Sequence, residues 1–149
     1  MTNKLHPLQQ ISFTHANQAY VVEASAGTGK TWTIERLFIK ALLEATQPDN
    51  LLIPLAIENI LVVTFTNDAT DELKQRISEQ IQTTINQIIY LNNQFEQEQI
   101  PATNQDIFLE YLLARQTNSA ENSRKKLFLQ DLTLLTRALQ NFDQAAIYT

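Results

Sequence analysis

The sequence predicts an α/β fold built on a parallel sheet, and three features of the 149-residue chain support this prediction. A short apolar segment at residues 20–24 precedes a glycine-containing loop, and a helical pattern follows over residues 31–45. A second apolar, β-branched run at residues 60–65 is followed by another long helical pattern. Because strands that alternate with helices form right-handed crossovers, the two apolar runs are predicted to be neighbouring parallel strands, and residues 60–65 are predicted to be buried on both faces.

The loop between the first strand and the first helix contains both glycines of the chain, Gly27 and Gly29. Lys30 and Thr31 follow at once and complete most of a phosphate-binding P-loop, although the strict motif has glycine where Ala24 stands. Backbone N–H groups of such a loop and the N-terminus of the next helix attract a polyphosphate. We therefore expect ATP binding, with Lys30 on the phosphates and the Thr31 hydroxyl on Mg²⁺.

The later part of the chain is predicted to be mainly helical, with helices over residues 106–116 and 122–142 and the start of a further strand at 145–148. The long helix after the second strand has an apolar stripe at helical spacing. Its members are Leu73, Ile77, Ile81, Ile85 and Ile88.

Composition limits the classes of function. Eleven basic and sixteen acidic residues give a net charge of −5, which argues against nucleic-acid binding through bulk charge. The chain has no cysteine, which excludes disulfides and thiolate metal sites and fits a cytoplasmic location. No apolar run approaches the ~20 residues that span a membrane.

The sequence lacks the second acidic site that a hydrolysing P-loop enzyme needs, an apolar strand ending in Asp or Asp-Glu. Asp131 is the one formal match, but its neighbours follow a helical period. No arginine stands out as a catalytic finger. All five arginines fall in predicted helices and are interpreted as solvated surface: Arg36, Arg76, Arg115, Arg124 and Arg137.

Two motifs carry a resemblance to a known family. Residues 23–31, Glu-Ala-Ser-Ala-Gly-Thr-Gly-Lys-Thr, and residues 61–77, which begin Leu-Val-Val-Thr-Phe-Thr-Asn, resemble the start of superfamily 1 DNA helicases of the UvrD type. Alanine at position 24 is usual in that superfamily. The motifs look most like those of the exodeoxyribonuclease V beta-subunit (RecB) family, with AddA-type nuclease subunits and plain UvrD-type helicases as alternatives.

The resemblance implies an incomplete RecA-like P-loop motor core with a mainly helical insertion. Residues 1–79 would belong to the motor domain, 80–143 to the insertion and 144–149 to the next core strand. The chain would then be the N-terminal fragment of an ATP-dependent helicase and exonuclease subunit in double-strand-break repair and recombination. Its partners would be DNA ends and RecC- and RecD-like subunits, with no membrane, and the fragment alone is expected not to hydrolyse ATP efficiently.

The resemblance also implies the residues of a nucleotide site. Gln18 is the candidate for an adenine-reading glutamine, with Gln9 and Gln10 as rivals. The full predicted set is Gln18, Ala24, Ser25, Ala26, Gly27, Thr28, Gly29, Lys30 and Thr31.

A DNA-binding set is implied at the end of the second strand: Thr64, Phe65, Thr66 and Asn67. An aromatic ring there can stack on a base, and hydroxyl and N–H groups can hold phosphate oxygens. The alternative is that Phe65 is the last core residue of the strand. A different class of function also stays open, namely a self-contained P-loop regulatory module in which Asp131 would hold the metal.

Overall fold

The computed structural model describes residues 5–14, 18–25, 27, 29–47, 49–118 and 121–149. Helices α1 to α5 span Pro7–Gln10, Lys30–Glu44, Asn67–Glu96, Ile107–Thr117 and Glu121–Gln140. Strands β1 to β4 span Thr46–Gln47, Asn50–Pro54, Leu61–Val63 and Ala146–Tyr148. Turns of 3₁₀ helix lie at Ile57–Asn59 and Phe142–Gln144.

Helix α3 is the 30-residue element against which α2, α4 and α5 pack. The predicted apolar stripe is confirmed, since all five of its members are buried. They share one core cluster with Ile39 and Leu42 of α2, Phe108 and Leu112 of α4, and Leu135 of α5. One apolar core therefore joins α2, which follows the glycine loop, to α3, which follows the second apolar run.

The predicted domain division stays a prediction. Helix α3 continues without interruption through residues 79 and 80, and the helices on either side of that point contribute to the same core. None of the helices in the described part of the chain is both long enough and apolar enough to cross a bilayer.

Parallel pairing is present, but the partner of the strand predicted at residues 60–65 is the one predicted at residues 145–148, not residues 20–24. Strand β3 pairs with β4, in the register Leu61↔Ala146, Val62↔Ile147 and Val63↔Tyr148. The predicted strand at residues 20–24 is wrong for this structure, because the segment is exposed and has no strand hydrogen bonding. A strand needs a neighbouring strand to satisfy its N–H and C=O groups, and residues 20–24 belong to neither of the two sheets of the described residues.

The prediction that residues 60–65 are buried on both faces is also wrong. Val62 is half-buried and its partner Ile147 is fully buried, while Leu61 and Val63 are mostly exposed on the other face. Helix packing covers one face of the β3–β4 pair in the described part of the chain. The strand consequently has one core face and one open apolar face.

A buried ion pair joins α4 to α5. The guanidinium of Arg115 binds both oxygens of Asp131, with Nε–Oδ2 and Nη2–Oδ1 distances of 2.8 and 2.9 Å. Arg115 also donates to the Leu43 carbonyl of α2. Burial opposes the charge, yet the hydrogen bond and the charge of Asp131 raise the pKa of Arg115. Arg115 is therefore not the solvated residue that the sequence suggested, and Asp131, with both oxygens engaged, is not free to hold a metal.

A second polar cluster centres on Glu44 near the end of α2. Its two carboxylate oxygens accept from the Tyr111 hydroxyl at 2.9 Å and from the Phe13 backbone N–H at 3.0 Å. Lys40 lies 3.7 Å from the same carboxylate and donates to the Leu8 and Ile11 carbonyls. This cluster holds the N-terminal segment and α4 against α2.

We predict that the stability of the chain falls at alkaline pH because of Tyr111. Burial, followed by the charge of Glu44, raises the pKa of this phenol above its ordinary value of about 10. The folded state therefore keeps a proton that the unfolded state loses, and stability that is complete below about pH 10 is lost as the pH rises further. Urea unfolding between pH 7 and 11 measures this loss.

At neutral pH, Tyr111→Phe should lower the free energy of unfolding by about 1 kcal/mol, because the hydrogen bond to Glu44 is lost. Above about pH 10, the variant should lack the part of the stability loss that comes from titration of Tyr111. Tyr148→Phe, at an exposed tyrosine, is the matched control. An alkaline slope that is identical in wild type and Tyr111→Phe would contradict the assignment.

Candidate nucleotide and DNA-binding sites

The start of α2 depends on two glycines in the left-handed region. Gly27 has φ of 77°, and Gly29, the N-cap of α2, has φ of 81°. A Cβ atom at either position would meet no heavy atom within 4 Å. Within the chain, glycine is therefore favoured at these positions by the backbone conformation and not by lack of space, since an L side chain is strained at such φ values.

The N-terminus of α2 presents donors without a competing carboxylate. Gly29 offers no side-chain cap, and the first turn contains no acidic residue. The first N–H groups of a helix have no partner within the helix, and the helix dipole adds partial positive charge to them. Lys30 and Thr31 occupy this first turn and are exposed. The arrangement is suited to an anion.

A cavity of about 430 Å³ opens beside Lys30. Its lining is mainly apolar with a few polar groups, and it comes from three segments: His6 and Pro7, Val22 to Ser25, and the α2 residues Lys30, Thr33, Ile34 and Leu37. The sequence did not assign His6 and Pro7 to the site, because nothing in the local pattern around them indicates a ligand. A cavity of this size falls within the range of small-molecule sites.

The N-terminal segment is held against α2 by ring contacts. The imidazole of His6 meets the Trp32 ring edge-on, with ring centroids 5.6 Å apart, and the Arg36 guanidinium lies 4.0 Å above the same ring. Burial lowers the pKa of Arg36, although the neighbouring Glu35 partly offsets this. Trp32 therefore packs within the chain.

The candidate glutamines lie in exposed positions and make local contacts. Gln18 accepts a hydrogen bond from the Tyr20 hydroxyl. Gln9 accepts from the His6 backbone N–H at 2.9 Å, and Gln10 donates to the Leu5 carbonyl. The cavity lining includes none of these glutamines within the described residues. Of the loop itself, Ala24 and Ser25 line the cavity, whereas Ala26 and Thr28 lie outside the described residues.

The predicted DNA-binding residues form the turn between β3 and α3. Phe65 is fully exposed, at 102% of its reference area, so the alternative that it is a core residue is wrong for this structure. Thr66 is the N-cap of α3 and accepts from the Ala69 N–H at 3.2 Å. Asn67 begins α3, and its amide oxygen accepts from the Thr149 hydroxyl at 2.7 Å. The aromatic ring of the turn therefore faces solvent.

The metal ligands that the described residues offer are too few to bind Mg²⁺ without a nucleotide. Thr31 supplies an exposed hydroxyl oxygen, a hard ligand of the kind that Mg²⁺ accepts. No group of three or more His, Cys, Asp or Glu side chains with metal-binding geometry occurs in the part of the chain that is described. The residues present fit a magnesium ion whose remaining ligands are phosphate oxygens and water.

A helix start suited to a phosphate and an exposed aromatic turn lie at the N-termini of two helices that share one core. Residues 5–147 match the UvrD/REP helicase N-terminal domain, and the chain belongs to this family.

Similar proteins include RecBCD enzyme subunit RecB from several bacteria. The Haemophilus influenzae subunit is 41% identical over 143 residues, which cover 96% of this chain and 11% of that protein. The Chlamydia muridarum subunit is 46% identical over 48% of the chain and 6% of that protein. The Escherichia coli subunit is 49% identical over 41% of the chain and 5% of that protein. The chain thus spans about a tenth of the Haemophilus relative and less of the others.

We predict that Gly29→Ala lowers the free energy of unfolding by about 1 kcal/mol, because alanine is strained at positive φ. Gly29→Asn should cost less, since asparagine tolerates the left-handed region better. Urea unfolding without nucleotide measures both variants. Equal stability of wild type and Gly29→Ala would show that the left-handed N-cap is not required.

Proposed function

We propose that the chain is the ATP-binding segment of an ATP-dependent DNA helicase and exonuclease subunit that processes DNA ends in double-strand-break repair and recombination. Family membership and the similarity to RecB subunits support the helicase class. The single observation that carries the nucleotide assignment is the start of α2, where a left-handed glycine precedes an exposed Lys30 beside an open cavity.

In the proposed site the phosphates lie against the first turn of α2. The backbone N–H groups and Lys30 hold the β- and γ-phosphates, and Thr31 holds Mg²⁺. The residues of the site are those of the loop, 24–31, and the nucleoside lies in the cavity beside His6 and Pro7. Bound Mg²⁺ would neutralise phosphate charge during transfer of the γ-phosphoryl group.

In the proposed DNA site a base of single-stranded DNA stacks on Phe65. Its full exposure supports this role, and the exposed carboxylate of Asp68 nearby favours a base face over a phosphate at this point. The other members of the proposed site are Thr64, Thr66 and Asn67. Their hydroxyl and amide groups would either bind the DNA backbone or hold the turn that carries Phe65.

The intact subunit would work with partners that resemble those named for its relatives, RecC and RecD, and with a DNA end. We propose that the 149-residue chain binds nucleotide weakly and turns it over very slowly. The alternative of a self-contained regulatory module loses its metal ligand, because Asp131 is buried and paired with Arg115.

We predict that Lys30→Ala weakens binding of a fluorescent ATP analogue with Mg²⁺ by about 10-fold to 100-fold. The change removes charge-assisted hydrogen bonds to phosphate, which contribute about 1.5–3 kcal/mol. A fluorescence titration of the purified chain measures the dissociation constant.

Lys125→Ala, at an exposed lysine of α5, is the matched control and should bind like wild type. Equal affinity of the Lys30 and Lys125 variants would overturn the nucleotide site. Rapid steady ATP turnover by the wild-type chain, lost in Lys30→Ala, would contradict the proposal that this chain only binds nucleotide.

We predict that Phe65→Ala weakens binding of a labelled oligothymidine by about 1–3 kcal/mol, the usual contribution of one stacked base. Thermal stability should stay unchanged, because the ring is fully exposed and its removal leaves no cavity. Fluorescence anisotropy and a melting curve provide the two measurements.

Val63→Ala is the matched control for this experiment. Val63 is a neighbouring exposed apolar residue on the open face of β3, so its loss tests whether any apolar truncation there lowers affinity. Equal losses in Val63→Ala and Phe65→Ala would rule out a specific stacking role, and unchanged affinity in Phe65→Ala would remove the site.

A further inference from the structure

The turn that presents Phe65 is tied to the end of β4 by three threonine hydroxyls and one amide. Thr70 lies at the centre, with its Oγ1 2.6 Å from that of Thr64 and 2.9 Å from that of Thr149. Thr149 in turn donates to the Asn67 Oδ1 at 2.7 Å. These four residues, the threonine relay, connect positions that are 79 and 82 residues apart in sequence.

The Thr70 hydroxyl is shared between several partners. Each hydroxyl has one proton to donate. The proton of Thr149 goes to Asn67, so in the contact with Thr149 the donor is Thr70. The Thr66 carbonyl is a second acceptor for the hydroxyls of both Thr70 and Thr64. Removing the Thr70 hydroxyl breaks two links at once.

Two further observations show that Thr70 contacts the turn from its buried side. It is 5% exposed, whereas Phe65, Thr66 and Asn67 are exposed. Its backbone N–H and its hydroxyl both lie 3.0 Å from the Thr66 carbonyl, and the Thr64 hydroxyl lies 3.1 Å from the same oxygen. The side chain of Thr70 therefore contacts both neighbours of Phe65 along the chain without reaching the exposed surface itself.

The end of β4 is part of the same unit. The Thr64 N–H donates to the Tyr148 carbonyl at 2.9 Å, which extends the β3–β4 ladder by one bond beyond Val63. The backbone bond and the relay together fix the turn from two sides. A turn whose backbone is already fixed loses less conformational entropy when a base stacks on the ring that it carries.

We propose that Thr70 is a positioning residue for the aromatic DNA contact: through the threonine relay it holds the turn in the geometry that presents Phe65. The proposal rests on the proposed DNA site, and it assigns to Thr70 no contact with DNA. It also assigns the side chain of Asn67 to the relay, which makes this residue a support for the site.

The test is a double-mutant cycle of Thr70→Val and Phe65→Ala, read by anisotropy of a labelled oligothymidine with the purified chain. Thr70→Val keeps the shape and removes the hydroxyl. We expect it to weaken binding about 3-fold to 10-fold in the wild-type background and to have no further effect in Phe65→Ala, because coupled residues are not additive. Thr70→Ser, which restores the hydroxyl, should bind within about 2-fold of wild type.

Thr84→Val separates positioning from fold stability. Thr84 is also buried in α3, and its hydroxyl donates to the Gln80 carbonyl at 2.8 Å, so the chemical change is the same at a distant point of one helix. It should lower the melting temperature without changing DNA affinity.

The outcomes distinguish the two proposals. If Phe65→Ala weakens binding but Thr70→Val does not, or if their effects add, Thr70 does not act through the ring and the relay proposal is overturned. If Thr84→Val weakens binding as much as Thr70→Val, the effect is one of stability and the relay proposal is also overturned. If Phe65→Ala leaves affinity unchanged, the DNA site fails, and the relay role fails with it.

Discussion

The shared burial of α2 and α3 is the constraint on which both candidate sites depend. Ile39 and Leu42 of α2 and Ile77 and Ile81 of α3 belong to one core and are almost completely buried. Each such side chain contributes about 1.5–3 kcal/mol by leaving water. Because α2 begins at the glycine loop and α3 begins beside Phe65, the same packing fixes the positions of both helix N-termini. The two candidate sites therefore depend on one packed core, and the ion pair between Arg115 and Asp131 links α4 and α5 beside it.

Helices with a strong apolar periodicity were predictable from the sequence, because the stripe of apolar residues that becomes buried lies within one continuous segment. The stripe of α3 and the glycine-lysine start of α2 are examples, and α2 lies within one residue of its predicted bounds of 31–45. Strands were harder, since a strand is defined by a neighbour that can be distant in sequence. Residues 20–24 have the composition of a strand but no ladder partner among the described residues, and β3 found its partner in β4, at residues 146–148.

The candidate site was only partly predictable for the same reason. Gly29, Lys30 and Thr31 are adjacent in sequence, so their pattern suffices to indicate a phosphate loop. The cavity wall formed by His6 and Pro7 depends on how Lys40 and Glu44 hold the N-terminal segment. The link between Thr70 and Thr149 depends on the β3–β4 pairing. Neither feature leaves a local pattern, and sequence reasoning missed both.

Hydrogen exchange of the purified chain, measured with Mg²⁺-ATP and separately with oligothymidine, tests most directly whether α2 and α3 present two ligand sites from one core. We expect nucleotide to slow exchange of amides in residues 29–33 and oligothymidine to slow exchange in residues 64–70, while the core amides of α3 stay protected throughout. Ligand protection confined to other segments, or none at either helix N-terminus, would show that the two helix starts are not ligand sites.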